Sequence, residues 1–233
     1  EDYLATSGLM IDYRKATNWN PLENNESPSD LRSFYSLLDK KSHPDGKQFN
    51  YVSPNSDLLG WIIERSTGER FSDLLSDLFW KPLGATMPSY ITVDRLGAPR
   101  VAGGLCTTAI DLALVGQLFL DYGFTNGQQI LPKNWLQDIQ ENGSRDAWLE
   151  GNFAEYFPNR DMHYRSKWYV DHGSNDSKAE LVFGLGVHGQ NLFVNSKKRI
   201  VIAKFSSQAA PLDPYLIPLT CKWVRGLINE LEG

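Results

Sequence analysis

Apolar positions recur along this chain at two different periods. From the start to about residue 140 they fall at steps of three and four, the spacing of amphipathic helices. The run Ser29-Asp30-Leu31-Arg32-Ser33-Phe34-Tyr35-Ser36-Leu37-Leu38 opens with Ser29 as a capping residue and predicts a first helix. In a second, Ser53 caps, Pro54 takes the first helical position, and Leu58, Leu59, Ile62 and Ile63 form one apolar face that ends at Gly68. A third covers Phe71 to Trp80 and stops at Lys81-Pro82-Leu83-Gly84. A fourth opens at Thr108, with Asp111 at capping-box spacing, and runs through Leu112, Val115, Leu118 and Phe119 to Gly123. A shorter one follows Pro132-Lys133-Asn134-Trp135. Between Asn142 and Asp176 the period is lost among Gly, Asn, Pro and aromatic residues, which predicts a long loop with a task of its own.

After that loop the pattern changes. Leu181 to Val187, Asn191 to Val194 and Arg199 to Phe205 are short runs of Val, Ile, Leu and Phe, the last two joined by the polar turn Asn195-Ser196-Lys197-Lys198. They read as antiparallel strands. Ile200-Val201-Ile202-Ala203 does not alternate, so that strand is expected to be covered on both faces. A closing helix, with Leu219, Trp223, Val224, Leu227, Ile228 and Leu231 at steps of three and four, supplies one cover. The expected architecture is α+β: a mostly helical region over 1–165, and strands with a final helix over 166–233, the sheet flanked by helices in three α/β/α layers. No internal repeat or long linker divides the chain.

Composition narrows the functions open to such a fold. An apolar share of 41% over 233 residues is that of a globular chain rather than a disordered one. With 23 basic and 28 acidic residues the formal net charge is −5, which gives no cationic field for phosphate backbones and argues against nucleic acid. No apolar stretch approaches the roughly 20 residues of a membrane span. The opening Glu1-Asp2-Tyr3-Leu4 has neither an initiator Met nor the regions of a signal peptide, so the chain is expected to have been processed or cut from something longer. Cys106 and Cys221 belong to no Cys-x-x-Cys or Cys/His cluster, which leaves two readings: small buried side chains, or one disulfide.

Candidate chemistry is sparse. His43, His163 and His172 sit in predicted loops without metal-ligand spacing, so no metal is expected and these rings are read as solvated or hydrogen-bonded surface. Two segments stand out. Tyr51-Val52-Ser53-Pro54-Asn55 sets a phenol just ahead of a helix start, where it can be held rigidly. His188-Gly189-Gln190 lies between two strand runs, with Gly189 permitting close approach of a backbone or ligand. Each also suits plain packing.

Taken together and in order, these segments resemble a known family. Tyr51-Val52-Ser53-Pro54-Asn55-Ser56-Asp57-Leu58-Leu59-Gly60-Trp61, then Thr67-Gly68, then Gly103-Gly104-Leu105-Cys106-Thr107-Thr108-Ala109-Ile110-Asp111-Leu112-Ala113, then Phe183-Gly184-Leu185-Gly186-Val187-His188-Gly189-Gln190, are similar to serine hydrolases of the class C β-lactamase and penicillin-binding-protein superfamily. The branch they resemble most is that of the 6-aminohexanoate-dimer hydrolases and related esterases. The resemblance implies a β-lactamase/transpeptidase-like fold and an acyl-enzyme mechanism needing no cofactor. In that family a Ser-x-x-Lys pair shares one helix face, and the lysine charge lowers the pKa of a tyrosine from its usual ~10 so that it can take the serine proton. By that resemblance Tyr51 is the acid and base, the backbone N–H of Gln190 is one oxyanion donor, and His188-Gly189 stands where relatives carry Lys-Thr-Gly.

Three departures shape the expectation. Ser53 replaces the asparagine of a Tyr-x-Asn element, with Asn55 two residues on; both are candidate substrate contacts. His188 in place of lysine removes a permanent positive charge, which shifts the expected substrate from β-lactams to esters and linear amides. Lastly, no Ser-x-x-Lys occurs anywhere; Ser36 to Lys40 and Ser174 to Lys178 are one residue too long. The nucleophile, the lysine and the first sheet strands are therefore expected on an N-terminal segment outside these residues, whose pairing partner would be an exposed sheet edge here. Trp168 and Tyr169 are candidates for a substrate pocket or for core packing. The competing expectation is a non-catalytic binding or scaffold protein on the same fold.

Overall fold

The computed structural model describes residues 3, 5–38, 46–173 and 180–231. The chain divides into two compact units, one of Glu1–Pro44, Tyr51–Trp80 and Met87–Thr107, the other of Asp45–Asn50, Lys81–Thr86 and Thr108–Gly233. His43, Lys40, Ser174 and Lys178, named above, lie outside the described residues.

The first unit contains α1 (Leu9–Ala16), α2 (Leu31–Ser36), α3 (Ser53–Thr67), α4 (Phe71–Leu75) and a two-residue antiparallel pair, β1 (Tyr90–Ile91) with β2 (Leu105–Cys106). Tyr13, Ala16, Leu31 and Phe34 form its buried cluster, the Tyr13 and Phe34 rings 5.6 Å apart. The cap of α2 is Asp30 rather than Ser29: its carboxylate accepts from the Ser33 N–H at 3.0 Å and the Ser33 hydroxyl at 2.6 Å. The expected helix Phe71–Trp80 is α4 continued by a wider π-wound turn over Ser76–Trp80.

Helix α3 begins and ends where its sequence predicts, with Gly68 in the left-handed conformation at φ 75°. Two details differ. Val52 holds the cap position, so Ser53 is the first helical residue. The face turned inward is not the apolar row, since Leu59, Ile62 and Ile63 are exposed; Ser53, Asp57 and Gly60 are buried instead. The reason is close packing on that face: a Cβ on Gly60 would lie 2.5 Å from Cγ2 of the Val101 side chain, so glycine there lets Val101 approach the helix.

The second unit opens with α5 (Lys81–Leu83) and α6 (Ala109–Leu120). At the start of α6 Thr108 accepts from the Asp111 N–H at 3.1 Å, while Asp111 takes the Thr108 hydroxyl at 2.8 Å and the Thr86 N–H at 2.6 Å. A small hairpin, β3 (Phe124–Thr125) with β4 (Gln128–Gln129), leads to α7 (Lys133–Glu141) and α8 (Arg145–Leu149). Five antiparallel strands follow: β5 (Met162–Arg165), β6 (Trp168–Asp171), β7 (Leu181–Gly186), β8 (Gln190–Asn195) and β9 (Ile200–Lys204), side by side in chain order, before α9 (Leu216–Glu230). The stretch expected as a loop over 142–176 thus holds α8 and the β5–β6 hairpin. Its strands escape a period-2 reading because both of their faces are covered: Met162, His163, Tyr169, Val170 and Asp171 are all buried. The boundary expected at 165/166 falls inside this hairpin.

The sheet is the middle of three layers. On one side Phe119, Leu120, Leu136 and Ile139, from α6 and α7, pack on Val170, Val182 and Val194. Gly116 makes this possible, since a Cβ there would stand 2.5 Å from Val201 and 3.1 Å from Leu192. On the other side the rings of Tyr169, Phe183 and Phe193 stack across three strands at 5.2 and 5.4 Å. Helix α9 buries Ile217, Cys221, Val224 and Ile228; of the row expected to cover the sheet, Leu219, Trp223 and Leu231 are exposed. The Ile200–Lys204 strand is half-buried throughout. Among the described residues no helix is long and apolar enough to cross a membrane.

Two buried polar groups are costly enough to shape this unit. Asp171, wholly buried, accepts from Arg160 at 2.8 and 3.1 Å, from the Gly173 N–H at 3.0 Å and from Arg225 of α9. His163 and His172, expected at the surface, are buried and hydrogen-bonded to each other. A carbonyl can only accept, so His163 Nε2 donates to the Ile139 carbonyl (2.8 Å), and its Nδ1 accepts from His172 Nε2 (2.8 Å). Burial pushes both rings below the usual histidine range.

Replacing Asp171 by Asn should destabilise the protein by about 3 kcal/mol, because two arginines lose their buried partner and keep only the more exposed Glu180; urea unfolding that moved by less than about 1 kcal/mol would remove this network from the fold's supports. For the histidines, the unfolded rings take up protons below about pH 6.5 while the folded pair resists. Stability should therefore fall as pH drops from about 7.5 to about 5.5, and His163→Gln with His172→Gln should flatten that slope. Equal urea midpoints at both pH values in the wild type would contradict it.

Candidate functional site

One residue, the extended Val52 (φ −137°, ψ 97°), separates Tyr51 from α3. Pro54 fixes the first turn, and its carbonyl accepts from the Tyr35 hydroxyl at 2.8 Å. Tyr35 in turn stacks on Trp61, one helical stretch further on, at 6.1 Å. Tyr51 is half-buried, Ser53 is buried with its hydroxyl 3.5 Å from that of Tyr3, and Asn55 is exposed.

One turn along from Ser53, Asp57 is buried and accepts from the Tyr13 hydroxyl at 2.6 Å and the Ala102 N–H at 2.7 Å. Burial raises its pKa, opposed by these hydrogen bonds. The carboxylate thereby joins α1, the 101–102 segment and the head of α3, the helix that follows Tyr51. Sequence reading took Asp57 as part of a motif without a role; the available signal was a charge in line with Ser53 and Gly60 on the helix.

His188, Gly189 and Gln190 belong to the second unit, at the tight turn from β7 to β8. His188 and Gly189 both have positive φ, 58° and 83°. Glycine is required twice at 189, since a Cβ would also stand 2.5 Å from the Gln208 carboxamide. The turn is moored to the segment after β9. His188 donates its N–H to the Pro211 carbonyl (3.0 Å), its carbonyl accepts from the Gln208 N–H (3.2 Å), and its Nδ1 donates to the Gln208 carbonyl (2.8 Å). Gln190 grips Ser206 in both directions: Nε2 donates to the Ser206 carbonyl at 2.5 Å and Oε1 accepts from its N–H at 3.1 Å. The Gln190 carboxamide is therefore engaged by the protein itself, and sequence reasoning, which considered only its backbone, missed this clamp.

A small cleft adjoins the turn, lined by Gly189, Asn191, Gln208, Asp213, Thr220 and Cys221. Burial pushes the Cys221 thiol up to about 11, so it stays protonated near neutral pH and is no nucleophile there. Cys106 and Cys221 are both free thiols, so the disulfide reading is not realised. Among the described residues no three His, Cys, Asp or Glu side chains are grouped to hold a metal ion. Tyr169 is buried between Trp148, Phe153, Tyr164 and Phe183, and Trp168 sets its ring edge against Phe119 at 4.5 Å. The expected site residues thus fall into two groups, Tyr51, Ser53 and Asn55 in one unit, His188, Gly189 and Gln190 with Trp168 and Tyr169 in the other.

Comparison with known proteins places this geometry. A 6-aminohexanoate-dimer hydrolase of Paenarthrobacter ureafaciens is 32% identical over 211 residues, covering 91% of this chain and 52% of the relative. This chain therefore spans about half the length of that curated relative. Among solved structures, a candidate 6-aminohexanoate-dimer hydrolase from Bacillus anthracis superposes with a TM-score of 0.81 at 24% identity, over all of this chain and 57% of the other. A candidate β-lactamase from Bacteroides dorei gives 0.62 at 23% identity, over 85% of this chain and 64% of the other. A penicillin-binding protein from Bacillus halodurans gives 0.55 at 15%, over 83% and 62%. These likenesses show the fold, the mixed helices and antiparallel sheet of β-lactamases and penicillin-binding proteins. The family model for β-lactamase matches residues 5–219, nearly the whole chain, and the chain therefore belongs to the β-lactamase family.

Proposed function

We infer that this chain supplies the acid–base and substrate-edge parts of a serine hydrolase that cleaves an amide or ester through an acyl-enzyme. The observation that supports this reading is the position of Tyr51, two residues ahead of a helix whose first turns are held through Asp57, Tyr35 and Pro54. A general base must keep its proton-accepting atom in place through the reaction, and a phenol on a frayed loop would not. Tyr51 takes the proton of a serine and returns it to the leaving group. The backbone N–H of Gln190 serves as one oxyanion donor; with its carboxamide engaged by Ser206, the main chain is what Gln190 can offer a substrate. Ser53 and Asn55 contact the substrate on the Tyr51 side, and His188-Gly189 form the opposite edge. The serine and its lysine come from outside these residues.

The substrate is a small amide or ester. The relative's name points to a linear amide, and position 188 carries histidine where the resemblance implies the lysine of Lys-Thr-Gly. One observation favours a second reading, a binding protein without catalysis: the sequence holds no Ser-x-x-Lys.

The two readings separate in an assay of the full gene product with a fluorophosphonate probe and short-chain nitrophenyl esters. Labelling and turnover are expected; the absence of both would leave the binding-protein reading. Within an active product, Tyr51→Phe should lower kcat by about 10²–10⁴-fold, the usual contribution of a general base, while the far-ultraviolet circular dichroism is kept. A rate within about threefold of wild type would show that another residue is the base.

A further inference from the structure

Half-buried arginines in this fold are met by acceptors, with one exception. Of the four among the described residues, Arg160 and Arg225 share the Asp171 carboxylate, and Arg14 donates to the Tyr3 and Ala5 carbonyls. Arg100 differs. Its guanidinium lies over the Trp19 ring, Cζ 4.3 Å from the centroid, and makes no hydrogen bond or ion pair with the described residues. Its Nε is wholly buried without an acceptor, and the two terminal nitrogens reach the surface. An indole face attracts the charge but accepts none of the five N–H donors of an arginine. A buried charged donor left unmet costs more than the roughly 1–3 kcal/mol of a neutral one, so the arrangement calls for an explanation.

A loose backbone does not supply it. The Arg100 N–H donates to the Thr92 carbonyl at 2.9 Å, and the Arg100 carbonyl accepts from the Gly104 N–H at 2.7 Å. Trp19 is held as well, its backbone N–H donating to the Arg14 carbonyl at 3.0 Å. Asp57 does not supply it either. That buried carboxylate is within Coulombic range of Arg100, yet one of its oxygens is taken by the Tyr13 hydroxyl and the other by the Ala102 N–H. All these residues belong to the first unit. What they form is a planar cation on a fixed backbone, with one face on an indole and its outer edge free.

We propose that Arg100, stacked on Trp19, binds the carboxylate of a small organic acid. The fork of a guanidinium matches the two oxygens of a carboxylate, and one cation balances one negative charge. A phosphate dianion would keep its second charge unpaired beside Asp57. The hydrolase reading, on which this step alone rests, makes that acid a substrate with a free carboxylate besides its scissile bond, because the 101–102 segment that follows Arg100 packs on the helix after Tyr51.

The test titrates hexanoate into the chain and follows the indole N–H resonance of Trp19, assigned through Trp19→Phe. A saturable shift is expected, which hexanamide should not produce. Arg100→Lys keeps the charge and loses the fork, and should weaken hexanoate binding at least about tenfold with an unchanged circular dichroism spectrum. The site is overturned if no saturable shift appears, if hexanamide binds as well, if Arg100→Lys binds like wild type, or if inorganic phosphate displaces hexanoate at equal concentration. In the full gene product, Arg100→Lys should raise KM for mono-nitrophenyl adipate at least about tenfold and leave that for nitrophenyl hexanoate within about twofold. Equal effects on the two esters would overturn the substrate step alone. Hexanoate binding needs no turnover, so an inactive gene product ends the hydrolase reading and the substrate step but not the site, and failed hexanoate binding leaves Tyr51 as the base.

Discussion

A carboxylate with no access to water, Asp171, is the constraint on which most of the sheet unit depends. An unpaired charge in that position would cost several kcal/mol, and the chain meets the cost with two arginines and a backbone N–H. Arg160 precedes β5 and Arg225 lies on α9, so one buried charge fixes both the entry to the sheet and the helix that covers it. Glu180 accepts from Arg160 as well, which draws the start of β7 into the same network. Packing then follows from direction: with α9 held over one face, Tyr169, Phe183 and Phe193 stack beneath it, and α6 can close on the other face where Gly116 leaves room.

The same economy is seen in the parts read as functional. Neither the head of α3 nor the His188-Gly189-Gln190 turn is fixed by its own residues alone. The helix after Tyr51 is held through Asp57, whose partners come from α1 and from the Val101–Ala102 segment, while the turn depends on Gln208, Pro211 and Ser206, which follow β9. In each case a helix head or turn is held by groups from a remote stretch of chain. Loops that are pinned in this way can hold a reacting geometry without being part of a long helix or strand.

Helix starts and stops were largely legible from sequence because they rest on local chemistry. Pro54, Gly68, Thr108 and the turn after Asn195 act through bonds within a few residues, and they act in the fold as their sequence suggests. Strand β8 and its neighbours were legible from their branched and aromatic residues. The β5–β6 hairpin was not, since burial on both sides erased the alternation by which a strand is recognised. The wrong face of α3 has a related cause. Amphipathicity shows that a helix has an apolar side, but whether that side meets the core depends on what approaches it, and here Val101 approaches Gly60.

By itself, the sequence determined the order of the elements, their punctuation by proline and glycine, the family to which the motifs point, and the absence of a Ser-x-x-Lys pair. These are properties of neighbouring residues or of ordered motifs, and they survive without knowledge of the fold. Only the tertiary structure decided that His163 and His172 are a buried pair, that Gln190 is a clamp, that Leu219 and Trp223 face outward, and that Asp171 is the centre of an ion network. Each of these depends on groups far apart in the chain, and the energy of a buried charge or an exposed ring is set by what surrounds it rather than by what precedes it.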